Sequence, residues 1–187
     1  MSLTPTEYAQ KLEKQINEIL TVNRPFALGV ASAHAAMTLR IFTAGEDVNN
    51  SQIGQYSKKG LYINPDKAVI RNQSGFTNKG KTGKSKFEDG REHVSTYFEG
   101  WKGFREAQGL ETGKVNLNYV GELKSDFERP AKKIDVNQYE VSLDKEIDNL
   151  KARGNEAHFN KVIFTPSQKE IQKLIETTEK ELKLLLS

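Results

Sequence analysis

Apolar residues recur at helical spacing over the first twenty positions, where Tyr8, Leu12, Ile16, Ile19 and Leu20 form one stripe behind Thr4, Pro5 and Glu7. Thr4 as N-cap, Pro5 at the first helical position and Glu7 three residues after the cap predict a helix running to about Val22. Arg24-Pro25 ends it. Phe26 to Thr43, alanine-rich and carrying Met37, Leu39 and Ile41, predicts a second helix in spite of Gly29. From Glu46 to Gly90 the pattern turns polar and glycine-rich, with short extended candidates at Gly60 to Ile63 and Ala68 to Arg71, and the stretch is expected to form a long loop or arm.

Downstream, His93 to Ala107 carries Tyr97, Phe98, Trp101 and Phe104 and predicts a helix, although Gly100 and Gly103 each cost it roughly 1 kcal/mol relative to alanine. Lys132 to Leu143 alternates with period two through Ile134 and Val136, then Tyr139, Val141 and Leu143. The phase slips once near Asn137-Gln138, so strand with a bulge or tight turn is expected. Asp144 to Arg153 predicts a short helix and Lys161 to Phe164 a short apolar segment. Thr165-Pro166-Ser167-Gln168 opens a terminal helix with Ile171, Leu174, Ile175, Leu182 and Leu185 on one stripe. Together these elements predict one α+β domain over 1–187, an antiparallel sheet flanked by N-terminal and C-terminal helices, with 46–90 as the loop or arm.

Composition narrows the function. With 28 Lys+Arg against 25 Asp+Glu the net charge is +3, a surface dense in both signs that makes no strong case for nucleic acid. Cysteine is absent, which excludes disulfides, thiol catalysis and cysteine-based zinc sites. The first residues lack a basic region followed by an apolar core, and no run approaches about 18 apolar residues, so neither export nor membrane insertion is expected. His34, His93 and His158 lie far apart without close carboxylate partners at metal-binding spacing, and they are read as surface or core-edge histidines, with no metal or cofactor expected.

Gly75-Phe76-Thr77-Asn78-Lys79-Gly80-Lys81-Thr82 satisfies the phosphate-binding pattern G-x-x-x-x-G-K-[ST]. That chemistry needs a buried strand before the loop and a helix after it, so that backbone N–H groups converge on the phosphates. Neither flank fits, and nucleotide binding stays an alternative. Lys79, Lys81, Lys84 and Lys86 also form a basic patch that phosphate backbones or acidic partners would attract, against the plainer reading of a solvated loop balanced by Glu88, Asp89 and Glu92. Only Phe76 and Phe87 could stack on bases there, so a small nucleic-acid-binding protein is the other alternative. Tyr97, Phe98, Trp101 and Phe104 read as core rather than as a ligand box. Leu184-Leu185-Leu186 reads as a partner-docking tip or as a helix end covering the sheet.

Val115-Asn116-Leu117-Asn118-Tyr119-Val120-Gly121-Glu122-Leu123-Lys124-Ser125-Asp126-Phe127 resembles the L-x-x-T-G-x-L-x-x-S signature of tail-completion and neck proteins of tailed bacteriophages, with Val120 where threonine is usual. Phe104-Arg105 and Gly109 ahead of Leu117 are similar to that family's lead-in. His158 to Thr165, followed by Glu170, is similar to the stretch before its last helix, with Phe164 on an aromatic position and Asn160 in place of a glycine. The resemblance implies a structural virion protein that forms a ring at the head–tail junction or tail end, without catalytic residues. Its implied partners are further copies of itself and portal, neck or tail proteins, with incidental DNA contact and no membrane, in the virion or in the host cytoplasm during assembly. The positions it implies as the motif core are Phe104, Gly109, Leu117, Gly121, Leu123, Phe127 and Phe164.

Overall fold

The structure, a computed structural model, describes residues 4–66, 68–86 and 92–187, together with the backbone but not the side chains of Ser85, Lys86, Glu92 and His93. Phe87, Glu88, Asp89 and Gly90, the expected stacking ring, balancing acids and end of the arm, lie outside the described residues.

Helix α1 (Pro5–Thr21) opens with the expected capping box, the Thr4 hydroxyl accepting from Glu7 N–H while the Glu7 carboxylate accepts from Thr4 N–H. Pro25 marks the break after α1, as expected, without an intervening loop. It occupies the first turn of α2 (Arg24–Leu39), behind Asn23 as a left-handed N-cap, because proline's fixed φ and missing N–H suit that position. A π turn, Arg40–Ala44, extends α2 and buries Arg40, Ile41 and Phe42. At the other end α7 (Gln168–Leu186) carries a second capping box, Ser167 with Glu170, and packs along α2 in the most extensive helix pair of the molecule. Gly29 permits this approach: a Cβ there would lie 2.7 Å from the Leu174 carbonyl oxygen and closer still to Thr178 Oγ1.

The segment 46–90, expected as a loop or arm, contributes to the body. It supplies Ile53, Tyr56 and Phe76 to the interior, together with β1 (Leu61–Ile63), α3 (Gln73–Lys79) and β2 (Lys81–Lys86). Its apolar residues are too widely spaced to give a period, yet each is anchored by a separate neighbour. The other extended candidate, Ala68 to Arg71, forms no strand.

The helix expected over His93–Ala107 is instead β3 (Glu92–Phe98) followed by α4 (Gly100–Ala107). β-Branched and aromatic residues at Val94, Thr96, Tyr97 and Phe98 favour a strand, and Gly100 at φ +69° makes the sharp exit that a side chain would strain. β3 is the centre of an antiparallel sheet of order β1-β3-β2. Short α5 (Glu122–Phe127) precedes the hairpin β4 (Lys132–Asp135) and β5 (Gln138–Glu140), whose register shift and two-residue turn account for the phase slip. The short helix expected at Asp144 is longer, α6 (Glu146–Phe159), and runs through Gly154.

Two clusters form the interior. Met37, Ile41, Phe42, Ile53, Tyr56, Val115, Leu123, Phe127 and Ile163 gather between α2, α5 and α6. Phe76, Phe98, Phe104 and Ala107 join α3, the sheet and α4. Trp101 packs against both. A buried ion pair, Arg40 Nε to Glu170 Oε1 at 2.7 Å, ties the π turn to α7, and the remaining guanidinium donates to Glu46 O, Ile163 O and Thr165 O at 2.9 to 3.0 Å. The α+β class thus holds, with antiparallel sheets and helical termini. The terminal helices pack on α2 and on one another rather than across the three-stranded sheet.

Candidate functional site

The run from Trp101 to Leu123 folds around one buried side chain. On α4, Trp101 and Arg105 share a face at i, i+4, and Arg105 is 2% exposed. Its guanidinium lies over the Tyr56 ring, 4.4 Å from the centroid, and donates to Glu111 O, Asn118 O and Asn116 Oδ1, each at 3.1 Å. The Tyr56 hydroxyl donates to Asn116 Oδ1 and accepts from Asn116 N–H, both at 3.3 Å. These bonds fix the return of the chain from Glu111 to Asn118. Among the described residues no carboxylate pairs with Arg105, so ring and carbonyl dipoles carry its charge. Burial pushes the guanidinium below its ordinary value, opposed by the neighbouring phenols of Tyr56 and Tyr119, and burial raises both phenols.

Above this base opens a cleft of about 500 Å³, floored by Tyr56, Trp101, Val115, Leu117 and Tyr119 and walled by Lys151, Asn155, His158 and Phe159 of α6. Trp101 and Tyr119 stand 5.7 Å apart between centroids, and Tyr119 also meets Phe104 at 5.6 Å. Arg71 donates to Tyr119 O at 2.6 Å, and the Tyr119 hydroxyl donates to Val69 O. On the α6 side Lys151 bridges Asp148 at 2.8 Å and Glu122 at 3.1 Å. The Asp148 hydrogen bond is the largest cause holding the ammonium above its ordinary value, and Glu122 adds to it. The cleft presents aromatic faces and a few fixed cations. Among the described residues no group of three His, Asp or Glu side chains converges that could hold a metal ion.

The motif positions divide between the two interior clusters. Phe104 lies in the sheet-side cluster, and Leu123 and Phe127 seat in the other. Phe164 meets Phe42 at a tilt and Phe127 edge-on, with ring centroids 6.4 and 5.8 Å away, and Leu117, at φ +48°, lines the cleft. Gly121, at φ +88°, is the N-cap of α5 and aims Leu123 and Phe127 inward. Gly109, at φ +71°, stands in open space after α4.

The four lysines are not one patch. Lys79 ends α3, Lys81 pairs with Tyr97 on β2, and Lys84 and Lys86 occupy the alternate register of that strand. The phosphate-loop pattern is a helix running into a strand, since Gly75 to Lys79 lie in α3 and Lys81-Thr82 open β2. That order is the reverse of the strand, loop and helix a phosphate cradle is built from. His34 is a core histidine, its Nε2 at 2.7 Å from Phe127 O and its ring edge-on to Phe127. His158 is exposed against Phe159, and the His93 side chain lies outside the described residues. Of the expected aromatic core, Phe98 and Phe104 are buried, Trp101 is shared with the cleft, and Tyr97 turns to the outer side of the sheet.

Arg105 and Tyr56 are the residues that sequence reasoning passed over. Phe104-Arg105 stood out only as a motif match, and nothing local marks an arginine for burial. The chain matches no protein-family model, no curated protein and no solved structure.

Proposed function

We propose that this chain is a structural subunit of a tailed-bacteriophage virion, a neck or tail-completion protein assembling as a ring at the head–tail junction or tail end. The observation that carries the reading is the excess apolar surface on α2. An 18-residue stretch of the continuous helix Arg24–Ala44 has a mean hydropathy of 1.2, yet only 50% of that stretch is buried within this chain. A helix apolar on every side belongs where every side is covered. Its outer side shows Ala27, Ala31, Ala35 and Leu39 to an open groove beside Pro130, Ala131 and Tyr139 of the hairpin region. Elsewhere α1 and α7 present Tyr8, Ile16, Leu20, Ile171, Ile175, Leu184 and Leu186, all at least 42% exposed. Two dissimilar apolar faces on one subunit are what a heterologous ring contact consumes.

The motif supports the same reading, because Gly121, Leu123 and Phe127 serve packing and the turn between clusters. The subunit therefore works by fitting against copies of itself and against portal, neck or tail proteins, in the virion and in the host cytoplasm during assembly. The test is light scattering and negative-stain imaging of the purified chain, alone and mixed with portal and tail proteins. Rings or defined co-complexes are expected. The double variant Ala31→Glu/Ala35→Glu abolishes them while the thermal midpoint of the isolated chain stays within a few degrees. A chain that stays monomeric with every such partner, or rings untouched by the double variant, refutes the role given to this face.

A further inference from the structure

The outer side of the three-stranded sheet carries a row that the virion reading does not use. In the antiparallel register Tyr62 pairs with Tyr97 and Tyr97 with Lys81, and directly paired residues point to the same side. The row therefore runs Tyr62, Tyr97, Lys81 across all three strands. The opposite side is the covered one, holding Thr96 at 0% and Phe98 at 3% exposure with Leu61 and Ile63 packed beneath. Tyr62 is 71% exposed, and its ring stands 5.3 Å from that of Tyr97.

Two glycines keep this row open and fixed. A Cβ on Gly60 would lie 2.7 Å from Tyr97 Cε2, so the Tyr97 ring rests against bare backbone with the tilted Tyr62 ring beside it. In the next row Gly83 pairs with Ser95 and has nothing within 4 Å of where its Cβ would stand. The result is a low floor beside two aromatic rings. Cations flank it: Lys58 and Lys59, both exposed, lead into β1, and Lys81, also exposed, opens β2. The outer-facing register positions Tyr62, Ser95, Tyr97, Lys81 and Gly83 include no acid.

From this juxtaposition we infer that the outer face of the sheet is a binding platform for single-stranded nucleic acid. Bases stack on Tyr62 and Tyr97, and the flanking lysines meet the phosphates. Stacking fits because every base offers a π face to an exposed ring, and a sheet surface with small residues beside the rings leaves room for successive bases. A duplex keeps its bases inside and would meet only the lysines. The platform is separate from the α2 groove and from the Arg105 cleft, so it stands or falls independently of the virion role.

The experiment is fluorescence anisotropy of a labelled oligothymidylate about fifteen nucleotides long, against a labelled duplex of equal length, titrated with the full chain between about 50 and 200 mM salt. Tyr62→Ala is the decisive variant, since a side chain so exposed contributes little to folding, and equal urea midpoints establish this. Single-strand binding is expected to weaken about fivefold to a hundredfold in Tyr62→Ala with its salt slope unchanged. Lys81→Ala is expected to lower the slope of log K against log salt by about 0.7. No binding at low salt overturns the inference, as does duplex binding as tight as single-strand binding. Oligonucleotide binding indifferent to Tyr62→Ala means charge alone and also overturns it. So does a Tyr62→Ala chain that loses a virion-protein partner while keeping the oligonucleotide, which makes the row a protein contact.

Discussion

Arg40 and Glu170 provide the sharpest test of how the body is held. Both side chains are nearly fully buried, at 5% and 4% exposure, and the guanidinium spends four donors on Glu170, Glu46 O, Ile163 O and Thr165 O. Glu170 in turn accepts from Ser167 N–H at 2.6 Å, so one carboxylate caps α7 and neutralises the arginine together. Arg40→Met strands a buried carboxylate and leaves three carbonyl oxygens without donors. Removing one partner of a buried pair costs about 3 to 5 kcal/mol, and at about 2 to 4 °C per kcal/mol for a chain of this size the thermal midpoint falls by roughly 6 to 20 °C. Glu170→Gln keeps the shape and the cap but leaves the guanidinium without its anion, and a loss in the same range is expected. The double variant Arg40→Met/Glu170→Gln should lose less than the sum of the two, because no unpaired charge remains, with a coupling of about 2 kcal/mol in urea unfolding at constant slope. Single variants each losing under about 1 kcal/mol, or strictly additive losses, would refute the claim that this pair joins the π turn to α7.

Two further outcomes follow from other contacts. Gly29→Ala gains helix propensity of about 1 kcal/mol, yet its methyl meets Thr178 and the Leu174 carbonyl, so a net loss of about 1 to 3 kcal/mol in urea unfolding is expected, and a stabilised variant would mean α2 and α7 pack more loosely. For Asp47, burial works to raise the carboxyl, but the Lys161 ammonium at 2.8 Å and the backbone N–H groups of Ser51 and Asn49 outweigh it and hold it below its ordinary 3.8. The stability from a depressed acid is fully present above the unfolded value and is lost as pH falls through the folded one. The chain should therefore weaken below about pH 4, and Asp47→Asn, less stable at neutral pH, should show a flatter decline on acidification in urea melts at stepped pH.

What the sequence disclosed was local. Thr4 with Glu7 and Ser167 with Glu170 announce their helices because a cap and its reciprocal partner lie within one turn. The hairpin at 132–140 was legible because alternation and its slip are visible in a few residues. The strand β3 was hidden by an accident of spacing. Tyr97, Trp101 and Phe104 fall at helical intervals, but Tyr97 belongs to the strand and the other two to the helix after Gly100. Nor could the interior role of 46–90 be read, because Ile53, Tyr56 and Phe76 each meet partners far along the chain. The cleft was half visible: its aromatics stood out, but the burial of Arg105 depends on the return of residues 111–118, a contact that no periodicity encodes. The π turn at Arg40 was likewise invisible, since the Glu170 that Arg40 meets lies far along the chain.

Trp101 is the one tryptophan of the chain, and it touches both interior clusters. Its emission is therefore a built-in gauge of the seam between them. A molecule whose halves parted on heating would shift its fluorescence colour while the helical circular dichroism still held, and one that melts as a single unit would lose both signals together.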